Sequence, residues 1–410
     1  MVAVSKAIGR VRYDKKRAGN CILVEIERQS RIIVITALKN GQARFYLDGY
    51  ISFMAGKLKG VFMKRIFALL LVVLTVVSVT PMVAMATESS NDTEYGEVSL
   101  GEIQELFIAH LDDVGLSLEP GTMAYYEYIV EQLFERTDDI LRSNENYDLL
   151  HAYMVEYKVT YEDYLLCQSL LADEYIADTV IADIVRTNDC VRTQDNAGNV
   201  EFSISDSFLS KTLNAIIEEN ANRYNVAQSN MRSAKVSGYS APDAAAYAVK
   251  WGEDRNGIYP NYNLSGGDCT NFVSQCIYAG GIDMNGSSAS VGTIESTSQW
   301  YCIYIKSTLG VRRYAVTTSW LRVSDFNTYL TSLATKSTKT SLSSLISSCS
   351  AGDVVQLADK TTGTPYHSII INAKDSTTAY FCGHSSNRSN EDVIDFLDDS
   401  SDKFILFDLT

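Results

Sequence analysis

Histidine is scarce in this sequence. Its 410 residues hold four, and only His367 and His384 lie beyond residue 240. The eight cysteines are irregularly spaced and form no C-x-x-C pair, which argues against a structural zinc site. Positive charge is missing from most of the chain. Residues 1–65 carry fourteen Lys or Arg against four Asp or Glu, and residues 66–86 carry no charge. With a formal net charge of -15 overall, residues 87–410 sit at -25. An acidic body of that size repels phosphates, so nucleic acid is excluded as a partner. A long apolar run is also lacking: Ile66 to Val79 falls short of the ~18–20 residues that span a bilayer.

The short run has another use. Met63-Lys64-Arg65 is basic, the run follows, and Ala84-x-Ala86 fits a small-x-small cleavage site. Residues 63–86 therefore have the layout of a secretory signal peptide, with Thr87 as the new N-terminus. This predicts a secreted or cell-surface protein that meets a membrane only during export. Such signals start a chain, so Met63 is the expected initiator. Lys59-Gly60-Val61 can be encoded as a ribosome-binding site just upstream, and residues 1–62 are read as an extension outside the working protein. Setting Cys21 aside leaves seven cysteines. An odd number in an exported chain leaves at least one free thiol; the other six allow three bridges or none.

The length leaves room for two domains, and apolar residues at 46% suffice for a sizeable core. Residues 87–230 read as a helix-rich domain of unknown role. Ser99-x-x-Glu102 is a capping box, and Ile103, Phe107, His110 and Leu111 follow at helical spacing. Helical patterns continue over 123–141, 147–171 and 207–219, with strands expected near 153–160 and 200–204. His110 and His151 lie among apolar residues and are read as structural. Residues 231–239 form a linker, and 240–410 a second domain. Ser240 is the expected N-cap of its first helix, with Pro242 in the first turn.

The most informative segment is Gly266-Gly267-Asp268-Cys269-Thr270-Asn271-Phe272-Val273-Ser274-Gln275-Cys276. Two glycines end a loop, an apolar helical face follows, and Gly280-Gly281 stops it. Cys269 falls in the first turn. There the helix dipole and unpaired N–H groups stabilise a thiolate, which predicts a lowered Cys269 pKa. The same N–H groups suit a developing oxyanion. Cys276, two turns on, is read as core. A thiol nucleophile needs a base. Residues 352–357, 366–372 and 378–384 read as strands, the last two joined by a four-residue loop, Lys374 to Thr377. A symmetric loop would set His367 and His384 opposite each other on one face, the second orienting the first. A one-residue shift of register would put them on opposite faces.

These residues resemble the Putative amidase domain family of Gram-positive bacteria, which is similar to papain-like cell-wall hydrolases of the NlpC and CHAP kind. The Asp268-Cys269-Thr270-Asn271-Phe272 helix start and Tyr366-His367-Ser368 carry most of the resemblance. Tyr259-Pro260-x-Tyr262, Ser319-Trp320 and Gly352-Asp353 add to it, over about 240–400. The resemblance implies an α+β, papain-like C-terminal domain, with a nucleophile helix packed on an antiparallel sheet. Carried over by position, Cys269 is the nucleophile, His367 the general base and His384 the orienting third member, with Asn372, Asn387 or Asp353 as alternatives for that place. Asp268, Thr270 and Tyr262 are substrate or oxyanion candidates, and Trp251, Trp300 and Trp320 are read as core. The implied reaction hydrolyses an amide or peptide bond through a thioester, with no metal or cofactor and with cell-wall peptide as substrate. The rivals are a catalytically silent cell-surface binding module, a thiol acyl- or transpeptidase, and a metal site built from Asp268, Cys269, His367 and His384.

Overall fold

A computed structural model describes the backbone of residues 11–13, 21–28, 31–38, 43–44, 95–171, 190–194, 200–224, 236–263, 266–308 and 310–410. From residue 95 onward it also describes their side chains, apart from 167–171, 190–194 and 200–204. The expected signal peptide and the side chains of Cys21, Cys167 and Cys190 lie outside the described residues. The chain divides into two compact units, residues 1–89 and 90–410. In the first, strands Val11–Tyr13, Cys21–Arg28, Arg31–Leu38 and Ala43–Arg44 pair in chain order as an antiparallel sheet.

The second unit is mixed α+β, a helical N-terminal region followed by an antiparallel sheet. Helix α1 (Leu100–Asp113) opens with the expected capping box between Ser99 and Glu102. Its Ile103, Phe107 and Leu111 are buried at helical spacing. Helix α2 (Met123–Phe134) stops earlier than its apolar pattern suggests. Arg136 takes a positive φ of 51 and breaks it, and Asp138 then caps the short helix Asp139–Arg142 by accepting from the N–H groups of Ile140 and Leu141. Helix α3 (Tyr147–Leu171) runs straight through the segment expected to form a strand at 153–160. Tyr153, Val155, Tyr157 and Val159 there recur with a period of two. The helix is central, however, with Ala152, Tyr153, Met154, Val155, Tyr157 and Lys158 all buried. A helix covered on nearly all sides shows no single apolar stripe. Strand Val200–Ile204 forms as expected and pairs with Cys190–Gln194. The pattern at 207–219 divides into Asp206–Leu209 and α4 (Leu213–Tyr224).

Helix α5 (Ala241–Trp251) carries the Ser240 cap and the early proline that the sequence indicated. Helix α6 (Asp268–Ala279) is the cysteine helix, and α7 (Val323–Leu333) follows a small three-stranded sheet of Gly292–Ile294, Cys302–Thr308 and Val311–Thr317. The main sheet has six antiparallel strands: β1 (Thr335–Lys339), β2 (Val354–Asp359), β3 (Pro365–Lys374), β4 (Ala379–Gly383), β5 (Arg388–Asp392) and β6 (Asp402–Asp408), in the order β1-β6-β2-β3-β4-β5.

Both faces of this sheet are covered. Val355, Leu357, Ile369, Ile371, Phe404 and Leu406 share a core with α1, α2 and α3. Their sequence neighbours Val354, Ile370, Ile405 and Phe407 share a second core with Phe272, Val273, Cys276 and Ile277 of α6. Alternation along each strand sends successive residues to opposite faces, so every residue of β2 is buried. Cys269, Cys276, Cys302, Cys349 and Cys382 are all free thiols. Among the described residues no helix is long and apolar enough to cross a membrane.

The β3–β4 hairpin corrects one expectation. Its loop is Asp375 to Thr378, one residue later than the sequence suggested, because the Asp375 carboxylate accepts from the N–H groups of Thr377 and Thr378. Lys374 pairs Ala379 and Ala373 pairs Tyr380, yet Ile371 pairs Phe381, which leaves Asn372 as a bulge. Ile370 then faces Cys382. The register differs from the mirror arrangement, and His367 and His384 do not face each other as a cross-strand pair.

Candidate active site

Two glycines place the cysteine helix. Gly267 is the N-cap of α6 in the left-handed region, φ 86, and a Cβ there would sit 2.8 Å from the Leu321 carbonyl oxygen. Gly266, φ 70, is pressed against α3, where a Cβ would come 2.6 Å from the Glu162 carbonyl oxygen. No side chain caps the helix start, so the first-turn N–H groups stay unclaimed by a capping side chain. Such groups can receive an anion.

Cys269 is wholly buried in that first turn. Burial pushes its thiol above the ordinary value. A positive charge on Lys158 and a backbone hydrogen bond from Ser368 act against that push, and Glu162 adds to it. The expected lowering is therefore not found, because loss of water outweighs the helix terminus. Thr270 turns to the sheet: its hydroxyl lies 3.1 Å from that of Ser368. Asp268 is 3% exposed and pairs with Arg255 at 2.8 Å and with Nδ1 of His384 at 3.1 Å. Burial works against its charge, but His384 and then Arg255 hold the carboxyl below its ordinary value.

The two histidines lie on different faces. His367 turns toward the helical region, its ring centroid 4.5 Å from that of Phe134. Burial holds its pKa well below the ordinary value, and the charges of Lys158, His384 and Arg388 reinforce this. Its Nδ1 is buried with no hydrogen-bond partner among the described residues. His384 instead stacks on Phe272 at 4.0 Å and bonds the Trp251 carbonyl through Nε2 at 2.9 Å. Its Nδ1 lies against Asp268, the residue before the cysteine.

The alternatives for the third position are engaged elsewhere. Asn372 donates to Asn390, Asn387 accepts from Arg255, and Asp353 accepts from the N–H groups of Ser350 and Leu409. Trp300 and Trp320 pack together at 4.5 Å in the core, and Trp251 packs at its edge. Among the described residues no group of three or more His, Cys, Asp or Glu could hold a metal ion.

A cavity of about 290 Å³ opens beside Asp268. Tyr262, Gly266 and Gly267 line one side, and Tyr126, Phe134 and Glu162 of the helical region line the other. That second wall was not anticipated. The signal for it lay in α3, where Lys158 falls on the buried run of Leu150, Tyr153, Met154, Tyr157 and Tyr161, four residues before Glu162.

No curated protein and no solved structure gives a significant match to the chain. Residues 238–407, in the C-terminal part of the chain from the α5 cap into β6, match the family described as "Putative amidase domain".

Proposed function

We propose that this chain is a cysteine-nucleophile amidase of papain-like type, exported from the cell and acting on peptide material of the cell envelope. The family match supports amide-bond hydrolysis. The observation that carries the cysteine mechanism is the pairing of two elements: Cys269 on an uncapped helix start, bonded to the Ser368 backbone, and His367, the residue before Ser368, buried and with an unpartnered nitrogen. The signal-peptide layout of 63–86 supports export.

In this reading His367 removes the Cys269 proton, and the sulfur adds to the amide carbonyl. The first-turn N–H groups of α6 hold the oxyanion. His367 returns the proton to the departing amine, and water then releases the acyl group from the thioester. His384 acts indirectly, holding Asp268 and so the helix start. A thiol with no exposed surface cannot meet a carbonyl. The reacting form therefore requires movement of the side chains that cover the sulfur.

Cys269→Ala tests the reading. Loss of a catalytic nucleophile costs on the order of 10³-fold or more in rate. Release of peptide from cell-wall fragments should fall at least that far while the far-UV circular dichroism stays unchanged. Equal release by the variant would defeat the enzyme reading in favour of a binding module. An added amine captured in place of water would identify a transpeptidase.

A further inference from the structure

Lys158 is wholly buried in the middle of α3, far in sequence from the family match. Its ammonium donates to the carbonyl oxygen of Tyr366 at 2.8 Å and to Glu162 at 2.8 Å. It also lies 5.9 Å from the Phe134 ring centroid and 6.0 Å from that of Tyr366. Tyr366 immediately precedes His367, and Phe134 is the ring packed on His367. Glu162 in turn accepts from the Tyr126 hydroxyl, at the wall of the cavity.

Stability does not account for this arrangement. Burying an ammonium costs desolvation free energy that its partners repay only in part, and a well-packed apolar side chain of similar volume is often as good or better. What an apolar side chain could not do is grip the Tyr366 carbonyl or present a positive charge to the cysteine.

Building on the nucleophile reading above, we propose that Lys158 is a positioning residue for Cys269 and His367. Its ammonium anchors the strand that carries the base and supplies a positive charge that favours the thiolate of the nucleophile. The helical region is then part of the active site, and the family-matched segment alone is an incomplete one. Glu162, which neutralises Lys158, acts on Cys269 with the opposite sign.

The experiment is the pH profile of Cys269 alkylation by iodoacetamide, read by peptide mapping on the full chain, with Cys276 of the same helix as the internal reference. In Lys158→Met the midpoint should move upward. The rate below the midpoint should fall about tenfold for each unit of movement. Lys158→Arg should restore it. Glu162→Gln should move the midpoint downward and raise the rate, which a merely structural role would not do. If Lys158→Met does not fold, the direction of the Glu162→Gln shift decides the matter. Profiles that superimpose on wild type, or that move the same way in Lys158→Met and Glu162→Gln, would overturn the proposal and leave the nucleophile reading intact. A wild-type Cys269 that reacts no faster than Cys276 would overturn both.

Discussion

Of the two faces of the six-stranded sheet, the one under α6 and α7 has hydroxyls, amides and indoles at its centre and ion pairs of Asp268 and Asp325 at its edges, and the one under α1 to α3 has ionisable groups at its centre. On the first, Ser368 bonds Thr270 and accepts from Gln356, which accepts from Asn327; the Trp300 indole donates to Ser274. On the second, His151 pairs with Asp359 at 2.9 Å and lies 3.7 Å from Asp402, to which Tyr366 donates its hydroxyl at 3.0 Å. Lys158 and Glu162 extend that set toward the cavity. The neutral hydrogen bonds at the centre of the first face keep the same strength at any ordinary pH, while the Asp268–Arg255–His384 cluster at its edge carries charge. The centre of the second face is held by groups that can gain or lose protons, so solution conditions act on it directly.

The largest test of this contrast is removal of an aromatic from each core. Phe272→Ala under α6 and Phe107→Ala in α1 should each cost about 3–5 kcal/mol. The tryptophans at 251, 300 and 320 all belong to the first core, so their fluorescence reports that face, while far-UV circular dichroism reports the helices. Both probes should melt together in both variants, because residues 90–410 form one compact unit. Two separate transitions would break the picture of a shared sheet.

A middle-sized effect concerns pH. Asp402 is pushed up to about 7, mainly by burial, with His151, Arg136 and the Tyr366 hydroxyl acting against the push and Asp359 adding to it. Glu156, facing Thr364, is pushed up to about 7 for the same leading reason. Burial lowers His151, but Asp359 and Asp402 outweigh it and leave its value raised. A raised folded-state value means stability that is present below the unfolded value and lost as pH rises through the folded one. For the two carboxyls the loss runs from ~4 up to and through about 7. The contribution of the second face should therefore weaken over that range. Asp402→Asn, neutral throughout, should flatten the fall in melting temperature between pH 5 and 8. A variant that keeps the full wild-type slope would remove Asp402 from the account.

The smallest effect is local. Ser99→Ala deletes the capping box of α1 and should cost about 1 kcal/mol. Urea midpoints would measure it, with an unchanged slope marking a local loss. A cost near zero would mean that α1 is held by its core contacts alone.

Much of the first face was legible in the sequence. Two glycines, the Asp268-Cys269 pair and the apolar positions of α6 announce a helix start, and the same residue types that form the strands announce the sheet. The histidines were identifiable as candidates, but their relation was not. It depended on where the Asp375 carboxylate set the turn and on one extra residue, Asn372, neither of which leaves a periodic trace. The state of Cys269 was misjudged for a different reason. The helix terminus is local and visible in sequence, whereas the burial that opposes it involves elements distant in sequence, such as those of Glu162 and Ser368. The second face was the least legible, since α3 is enclosed on most sides and its lysine sits in a run that reads as ordinary core.

The close fit of Gly266 against the Glu162 carbonyl oxygen and the apolar seam that continues from it bear on where this protein can be cut. A chain trimmed to the family-matched residues 238–407 would expose Leu357, Ile369, Ile371, Phe404 and Leu406 together as one bare sheet face. Contiguous apolar surface of that kind drives association. The limits drawn by sequence similarity thus pass through the middle of a folding unit, and trimming at those limits should yield aggregates rather than a smaller enzyme.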